Sequence, residues 1–306
     1  MEAISLEAAQ HQIIEAVAST QDVEDIHVRD ALGRVVACDY EAPFELPQEG
    51  IYSGAPLLIK KNRFEQKNIG LLASFGVGEI QVFRKPRVAC FSVGDDWVPI
   101  GQKMEEGQRY PSNALSLELL FKKEGCEFLD LGICKSNLEA QMESFKDAKN
   151  SGADWILAIS AFAEKGIVPS LLDLGAHIYF HKVNMKPGKS SVFAKLDEKF
   201  IFGLPGDPLS NQVVFYQLMY PAIQKWFGEA NFFIEEKKAW LSHDITLESV
   251  PKFMVGFQKE IRGQSYVLPF EERLGVSALS LGDCLIRVPS GKGVLEKNSS
   301  VMVQAY

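Results

Sequence analysis

Apolar residues at the start of the chain recur at helical spacing. Leu6, Ala9, Ile13, Ile14 and Val17 follow Ser5, whose side chain suits a helix N-cap. The pattern then predicts a short strand over Asp25–Val28 and a turn of helix closing at Gly33. From Pro86 the period alternates. Strand-like runs at Val88–Ser92, Cys126–Gly132, Trp155–Ser160, Ala176–Phe180 and Phe200–Phe202 are separated by helical stretches, notably Asn113–Lys123, Leu138–Ala148 and Ile167–Leu172. Such alternation predicts a three-layer α/β unit with a mostly parallel sheet, and sheets of that kind take ligands beyond the carboxyl ends of their strands. After Gly228 the alternation stops. Short β-favouring runs at Lys252–Glu260, Ser265–Leu268, Cys284–Val288 and Ser300–Gln304, separated by turn residues, predict a small all-β unit. The expected fold class is α/β: an N-terminal α+β region over 1–84, a three-layer α/β domain over 85–228 and a C-terminal β domain over 229–306.

Composition narrows the possible partners. At 306 residues the chain is long enough for two or three domains with substantial cores. A net charge of −8 weighs against a nucleic-acid backbone as the main partner, while leaving room for a small anion at a local cationic turn. The five cysteines (Cys38, Cys90, Cys126, Cys134 and Cys284) contain no CxxC pair, so neither a zinc knuckle nor a disulfide framework is indicated. Reduced thiols, a polar N-terminus and the lack of a membrane-length apolar run give the expectation of a cytoplasmic protein that uses no membrane. His177 and His181 stand four apart in a strand-like run, where they lie far apart along one face, and no metal site is expected there. Ser160 has no G-x-S-x-G elbow around it.

The densest chemistry lies between His181 and Phe215. Lys186 and Lys189 flank the Pro187–Gly188 turn, setting two ammonium groups around a compact bend. A short hairpin later, Gly203-Leu204-Pro205-Gly206-Asp207-Pro208 opens a helix near Leu209, with Asp207 suited to the N-cap and Pro208 to the first helical position. Glycines admit a ligand close to the backbone, and a helix start offers free N–H groups to an anion. Taken singly, each turn reads equally as a solvated lysine bend and an ordinary helix cap.

Taken together, they resemble the "HKVxMKPGKP…GLPGNPxS" signature of the molybdenum transferases of molybdenum-cofactor biosynthesis, the MoeA/gephyrin E-domain family. Further stretches resemble that family. Ala31–Ala37 is similar to its opening "ALGRVLAEDV", Val93-Gly94-Asp95-Asp96 to "STGDEL", and Pro111-Ser112-Asn113 to "DSN". Leu274–Ile286 is similar to the closing "GSGMLSSLAEANGLIVLP". Three departures stand out. The inserted domain with its "DNSAMDGYA" motif is replaced by a short turn near residues 47–54. The glycine pair and aspartate of "TSGGVSVGDYD" give way to Ser160-Ala161-Phe162-Ala163-Glu164-Lys165-Gly166. Asp207 stands where the family has asparagine, adding a negative charge at the helix start.

The resemblance implies a MogA-like central domain, a split N-terminal region and a homodimer in contact with other molybdenum-cofactor biosynthesis proteins. It implies a molybdotransferase that inserts molybdate into adenylylated molybdopterin, with Mg2+ as an accompanying ion. On it, Lys186, Lys189 and Asp95 are the expected catalytic groups. Gly94, Ser112, Asn113, Ser160, Pro187, Gly188, Gly203, Pro205, Gly206, Asp207, Pro208 and Ser210 are expected to shape the ligand pocket, with Ser112 or Asn113 also capping its helix. Phe162 would fill the pocket floor, or Glu164 would reach Lys186 or Asp95 in place of the missing aspartate. The alternative is a catalytically silent relative that keeps the fold as a dimeric ligand-binding or scaffold protein.

Overall fold

The computed structural model describes residues 2–160, 166–271 and 274–306. Helix α1 (Leu6–Ala16) begins where the Ser5 hydroxyl accepts the Ala8 amide at 3.1 Å, and it buries Leu6, Ala9 and Ile13. There follow β1 (Val23–His27), the short β2 (Tyr40–Glu41) and β3 (Pro56–Leu58), helix α2 (Gln66–Ser74) and β4 (Glu79–Phe83). β4 pairs antiparallel with β1, and β3 with β2. These elements enclose a core of their own, built on Val36, Leu58, Phe64, Leu72 and Val82. Val28, expected at the end of the strand, instead starts a 3-10 turn over Val28–Asp30. Between β2 and β3 the chain makes a short excursion. A 3-10 turn at Pro47–Glu49 closes it, and the Ala42 amide donates to the Ala55 carbonyl at 2.8 Å.

The central unit contains β5 (Arg87–Val93), α3 (Ser112–Lys123), β6 (Glu127–Cys134), α4 (Leu138–Asn150), β7 (Trp155–Ser160) and α5 (Val168–Asp173). It continues with β8 (His177–His181), β9 (Val192–Leu196), β10 (Lys199–Pro205), α6 (Pro208–Val214) and α7 (Tyr220–Phe227), the last two joined by a π-helical turn at Phe215–Met219. The six strands form one sheet in the order β6-β5-β7-β10-β9-β8. β6, β5, β7 and β10 are parallel, and β9 runs against both its neighbours. The two-residue strand period sorts the core. Val88, Cys90, Trp155, Leu157, Phe202 and Leu204 face α1, α3, α6 and α7, while Ala89, Phe91, Ile156, Ala158 and Ile201 face α4 and α5. Burial on both faces explains why these strands read as continuous apolar runs.

The remainder forms a closed five-stranded barrel from β11 (Glu236–Leu241), β12 (Lys252–Ile261), β13 (Gln264–Pro269), β14 (Cys284–Val288) and β15 (Ser300–Ala305), with α8 (Val276–Leu281) before β14. Neither β11 nor α8 stands out in the sequence pattern. β11 buries only Ala239 and Leu241 among charged neighbours, and α8 buries only Ala278. The core on the α1 side of the sheet joins the units, since Phe253, Val255 and Leu285 of the barrel pack into the cluster that holds α1 against the sheet.

Candidate functional site

Strand register fixes one edge of the sheet as the rim. Val93 is paired with Ser160, Ser160 with Pro205, and Cys134 with Val93. Gly94–Asp95, the segment after Ser160 and Gly206–Asp207 therefore leave the sheet side by side. Val192 faces His181 on one flank and Gly203 on the other, so the 182–191 turn emerges at this same edge. The lysine turn and the Gly203–Pro208 turn thus adjoin across the β9–β10 hairpin. Asp95 follows β5, three strands from β9, or about 14 Å at the usual strand spacing.

Asp95 is exposed, and its carboxylate accepts the Ser136 amide at 3.1 Å and the Ser136 hydroxyl. Those bonds, chiefly the one from the hydroxyl, hold the carboxyl below its usual range. Its partner is this serine, brought alongside by the β5–β6 register, rather than a lysine. Gly94 is buried beneath Trp97. A Cβ there would lie 2.4 Å from the indole Nε1, which itself donates to the Val93 carbonyl at 3.1 Å. Arg109 covers the indole at 4.5 Å from the ring centre and pairs with Asp96 at 2.6 Å.

Helix α3 departs from the expected capping. Pro111 occupies the N-cap position with no side-chain cap, and Ser112 is the exposed first helical residue. Asn113 is buried, with 4% of its surface exposed, and its Nδ2 donates to the Gly206 carbonyl at 2.8 Å. The amide side chain is drawn away from its own helix end. It ties the α3 start to the second turn instead.

At that turn Gly203 is needed for packing, because a Cβ would come within 2.6 Å of Ile167 Cδ1 and 2.8 Å of Val192 Cβ. The Pro205 carbonyl accepts Asn211 Nδ2 at 2.5 Å. Asp207 is the N-cap of α6, Pro208 is its first residue, and Asp207 Oδ2 accepts the Ser210 amide at 2.8 Å and the Ser210 hydroxyl. Ser210 is buried and serves the cap.

The lysine turn rests on Gly188. With φ at 104° it occupies backbone space that L side chains rarely adopt, and a Cβ would meet Met185 Cε at 2.7 Å and Val214 Cγ2 at 2.9 Å. Its carbonyl accepts the Ser191 hydroxyl at 2.7 Å. Lys186 is strapped to the barrel: its amide donates to the Pro251 carbonyl at 2.9 Å, and its carbonyl accepts the Phe253 amide at 2.7 Å. Its Nζ lies 2.9 Å from Glu248 Oε1, which Lys252 Nζ also approaches at 3.2 Å. Hydrogen bonding from Lys186 leads the causes that lower the Glu248 carboxyl. Lys189 is exposed and has no carboxylate partner among the described residues. Pro187, with Leu209, Phe253, Met254 and Phe270, lines an apolar pocket of about 150 Å³ beside Lys186 and Lys252.

Ser160 lines a narrow cleft of about 40 Å³ with His181, Lys182 and Pro205. The contacts expected of Phe162 and Glu164 lie outside the described residues. Sequence reasoning missed Trp97, Arg109, Ser136, Glu248 and Lys252, none of which belongs to a local motif. Among the described residues no three His, Cys, Asp or Glu side chains converge, so the chain offers no protein cage for Mg2+ there. No helix among those residues is long and apolar enough to cross a membrane.

Residues 89–225 match the family described as "Probable molybdopterin binding domain". The matched stretch spans the sheet and its rim of turns. The chain is 34% identical over 183 residues to the molybdopterin molybdenumtransferase of Haemophilus influenzae, a match covering 59% of this chain and 45% of that protein. It is 25% identical over 252 residues to the enzyme of the same name from Staphylococcus aureus, covering 80% of this chain and 60% of that one. The chain thus spans about half the length of the curated relatives it matches. Its fold is that of the molybdopterin biosynthesis MoeA protein from Pyrococcus horikosii, with a TM-score of 0.87 at 20% identity over 99% of both chains.

Proposed function

We propose that this protein carries out the metal-insertion step of molybdenum-cofactor biosynthesis. It takes adenylylated molybdopterin and molybdate, sets the metal at the dithiolene sulfurs and releases AMP. The supporting observation is the shared rim, where the Gly188-built lysine turn and the capped Gly203–Pro208 turn adjoin, with Asn113 tying a third segment to Gly206. In this reading Lys186 and Lys189 bind the anionic phosphate or molybdate and offset charge as the AMP leaves. Asp95, kept ionised by Ser136, orients a donor group of the ligand. Gly94, Ser112, Asn113, Ser160 and the 203–210 turn bound the pocket. Asp207 faces into its own cap, so its charge is partly spent on Ser210 before any anion arrives.

The proposal includes a homodimer, the division into 1–84, 85–228 and 229–306, and contact with other proteins of the same biosynthesis, all carried from the family resemblance. It also includes a cytoplasmic setting, supported by five free cysteines. The test is molybdate-dependent AMP release from adenylylated molybdopterin, with Lys186→Ala/Lys189→Ala as control. Release by the natural chain and loss in the double variant is the expected result. A folded sample that releases no AMP would replace this reading with that of a silent ligand-binding relative.

A further inference from the structure

The cluster that the functional reading leaves unused lies where the lysine turn meets the barrel. One carboxylate oxygen, Glu248 Oε1, receives two ammonium groups, Lys186 at 2.9 Å and Lys252 at 3.2 Å. Lys252 retains only 8% of its surface in solvent, and a buried cation of that kind is held by the charges around it. Glu248 is anchored through its own backbone, since its carbonyl accepts the Gly291 amide at 2.7 Å. Both backbone groups of Lys186 are bonded to the Pro251–Phe253 segment, so its main chain is fixed beside this cluster.

We propose that Glu248 is a positioning residue, a resident stand-in for the anion that Lys186 receives. In the free protein its carboxylate gathers the Lys186 and Lys252 ammonium groups toward one point. An incoming tetrahedral oxyanion takes over that point, and the carboxylate, with 30% of its side chain exposed, turns out to water. Lys252 thereby joins Lys186 as a second cation of the site. The inference rests on Lys186 being an anion-binding group, as set out above. The neighbouring pocket of about 150 Å³ is walled by Leu209, Phe253 and Phe270 and carries the Glu271 carboxylate, so the anion's place is at the two ammonium groups and not within that pocket.

The test is calorimetric titration of the full chain with sodium molybdate, and with inorganic phosphate as a second probe. Glu248→Gln keeps the shape and removes the competing charge. Molybdate should then bind about 3- to 10-fold tighter, the size expected for one partly screened charge at this range. Lys252→Met should weaken binding in the natural background and remove most of the gain in the Glu248→Gln background. A merely structural Glu248 would give the opposite sign, because losing a structural ion pair loosens the turn. Unchanged or weaker binding in Glu248→Gln overturns the proposal.

Should that variant fail to fold, Glu248→Asp shortens the reach to the lysines and is judged by the same sign. The AMP-release assay separates the two readings. Tighter molybdate binding without any AMP release sinks the enzymatic reading and leaves this one standing. AMP release with unaltered molybdate binding in Glu248→Gln does the reverse.

Discussion

Replacing Gly188 by alanine is the sharpest structural perturbation available at the lysine turn. Two separate penalties apply. The backbone at φ 104° is strained for any side chain, which costs about 1–3 kcal/mol. The added methyl would sit 2.7 Å from Met185 Cε and 2.9 Å from Val214 Cγ2. Met185 ends in a flexible methyl that can yield, while Val214 is a stiff β-branched residue on a buried helix face. Overpacking of this sort costs about 1–3 kcal/mol, for a total of about 2–6. At about 2–4 °C per kcal/mol for large single domains, the melting temperature should fall by about 4–24 °C.

Gly132→Ala is the control for strain alone. That residue has φ at 82°, but nothing lies within 4 Å of its Cβ position, so its loss should be about half as large. Hydrogen exchange locates the effect. The Val183 amide, bonded to the Lys189 carbonyl at 2.8 Å, and the Lys182 amide, bonded to the Ser191 carbonyl at 2.9 Å, should lose protection in Gly188→Ala alone. Adding Val214→Ala to Gly188→Ala should recover part of that protection. If Gly188→Ala melts no earlier than Gly132→Ala and those amides stay protected, the packing argument for this turn is wrong.

Three further outcomes are expected. Asn113→Ala removes the 2.8 Å bond to the Gly206 carbonyl and should destabilise by about 1–2 kcal/mol, read as a lower melting temperature; no change would mean that water replaces the amide. Glu124 has its carboxyl raised above 4.5 by burial, the largest cause, against a smaller opposing pull from Arg63. Its ionisation therefore costs stability that is untouched below the unfolded pKa of 4.5 and fully lost above the folded one. Glu124→Gln should raise the melting temperature at pH 8 and bring little gain at pH 4, whereas a drop at pH 8 would show that the Arg63 pairing outweighs burial. Of the five cysteines only Cys38 is half-exposed, while burial raises the thiols of Cys90, Cys126 and Cys134 and pushes Cys284 up to about 12. Maleimide at pH 8, followed by mass spectrometry, should add one label to the native chain and five after denaturation; rapid labelling at a second site would refute this.

The parts of the molecule visible in the sequence are those set by local chemistry. Ser5 and Asp207 cap their helices as their positions suggest, because an N-cap needs only its own next three residues. The parallel strands are visible because burial on both faces demands unbroken apolar runs such as Trp155–Ser160. Asn113 shows the boundary of such reasoning. Its residue type suits a cap, yet its amide serves a carbonyl 93 positions away, a demand that no local pattern carries. Glu248 reaches Lys186 across 62 positions, and Trp97 folds back over Gly94 because Arg109 and Asp96 hold it there. The two turns could be placed together from their order, but the residues that occupy their charges and fill their space come from elsewhere in the fold.

The excursion between β2 and β3 has a practical consequence. Its two ends are joined by two 2.8 Å hydrogen bonds, from the Ala42 amide to the Ala55 carbonyl and from the Gly54 amide to the Ala42 carbonyl, so the surrounding scaffold already closes the gap that the excursion spans. Loop-closure entropy grows slowly with length, by about 0.6 kcal/mol per doubling. A folded module with neighbouring termini, such as a fluorescent reporter or an affinity handle, can therefore be spliced between Pro47 and Gly50 as into a socket. The rim turns, anchored to the sheet and the barrel, would keep their places while the protein carried a new passenger.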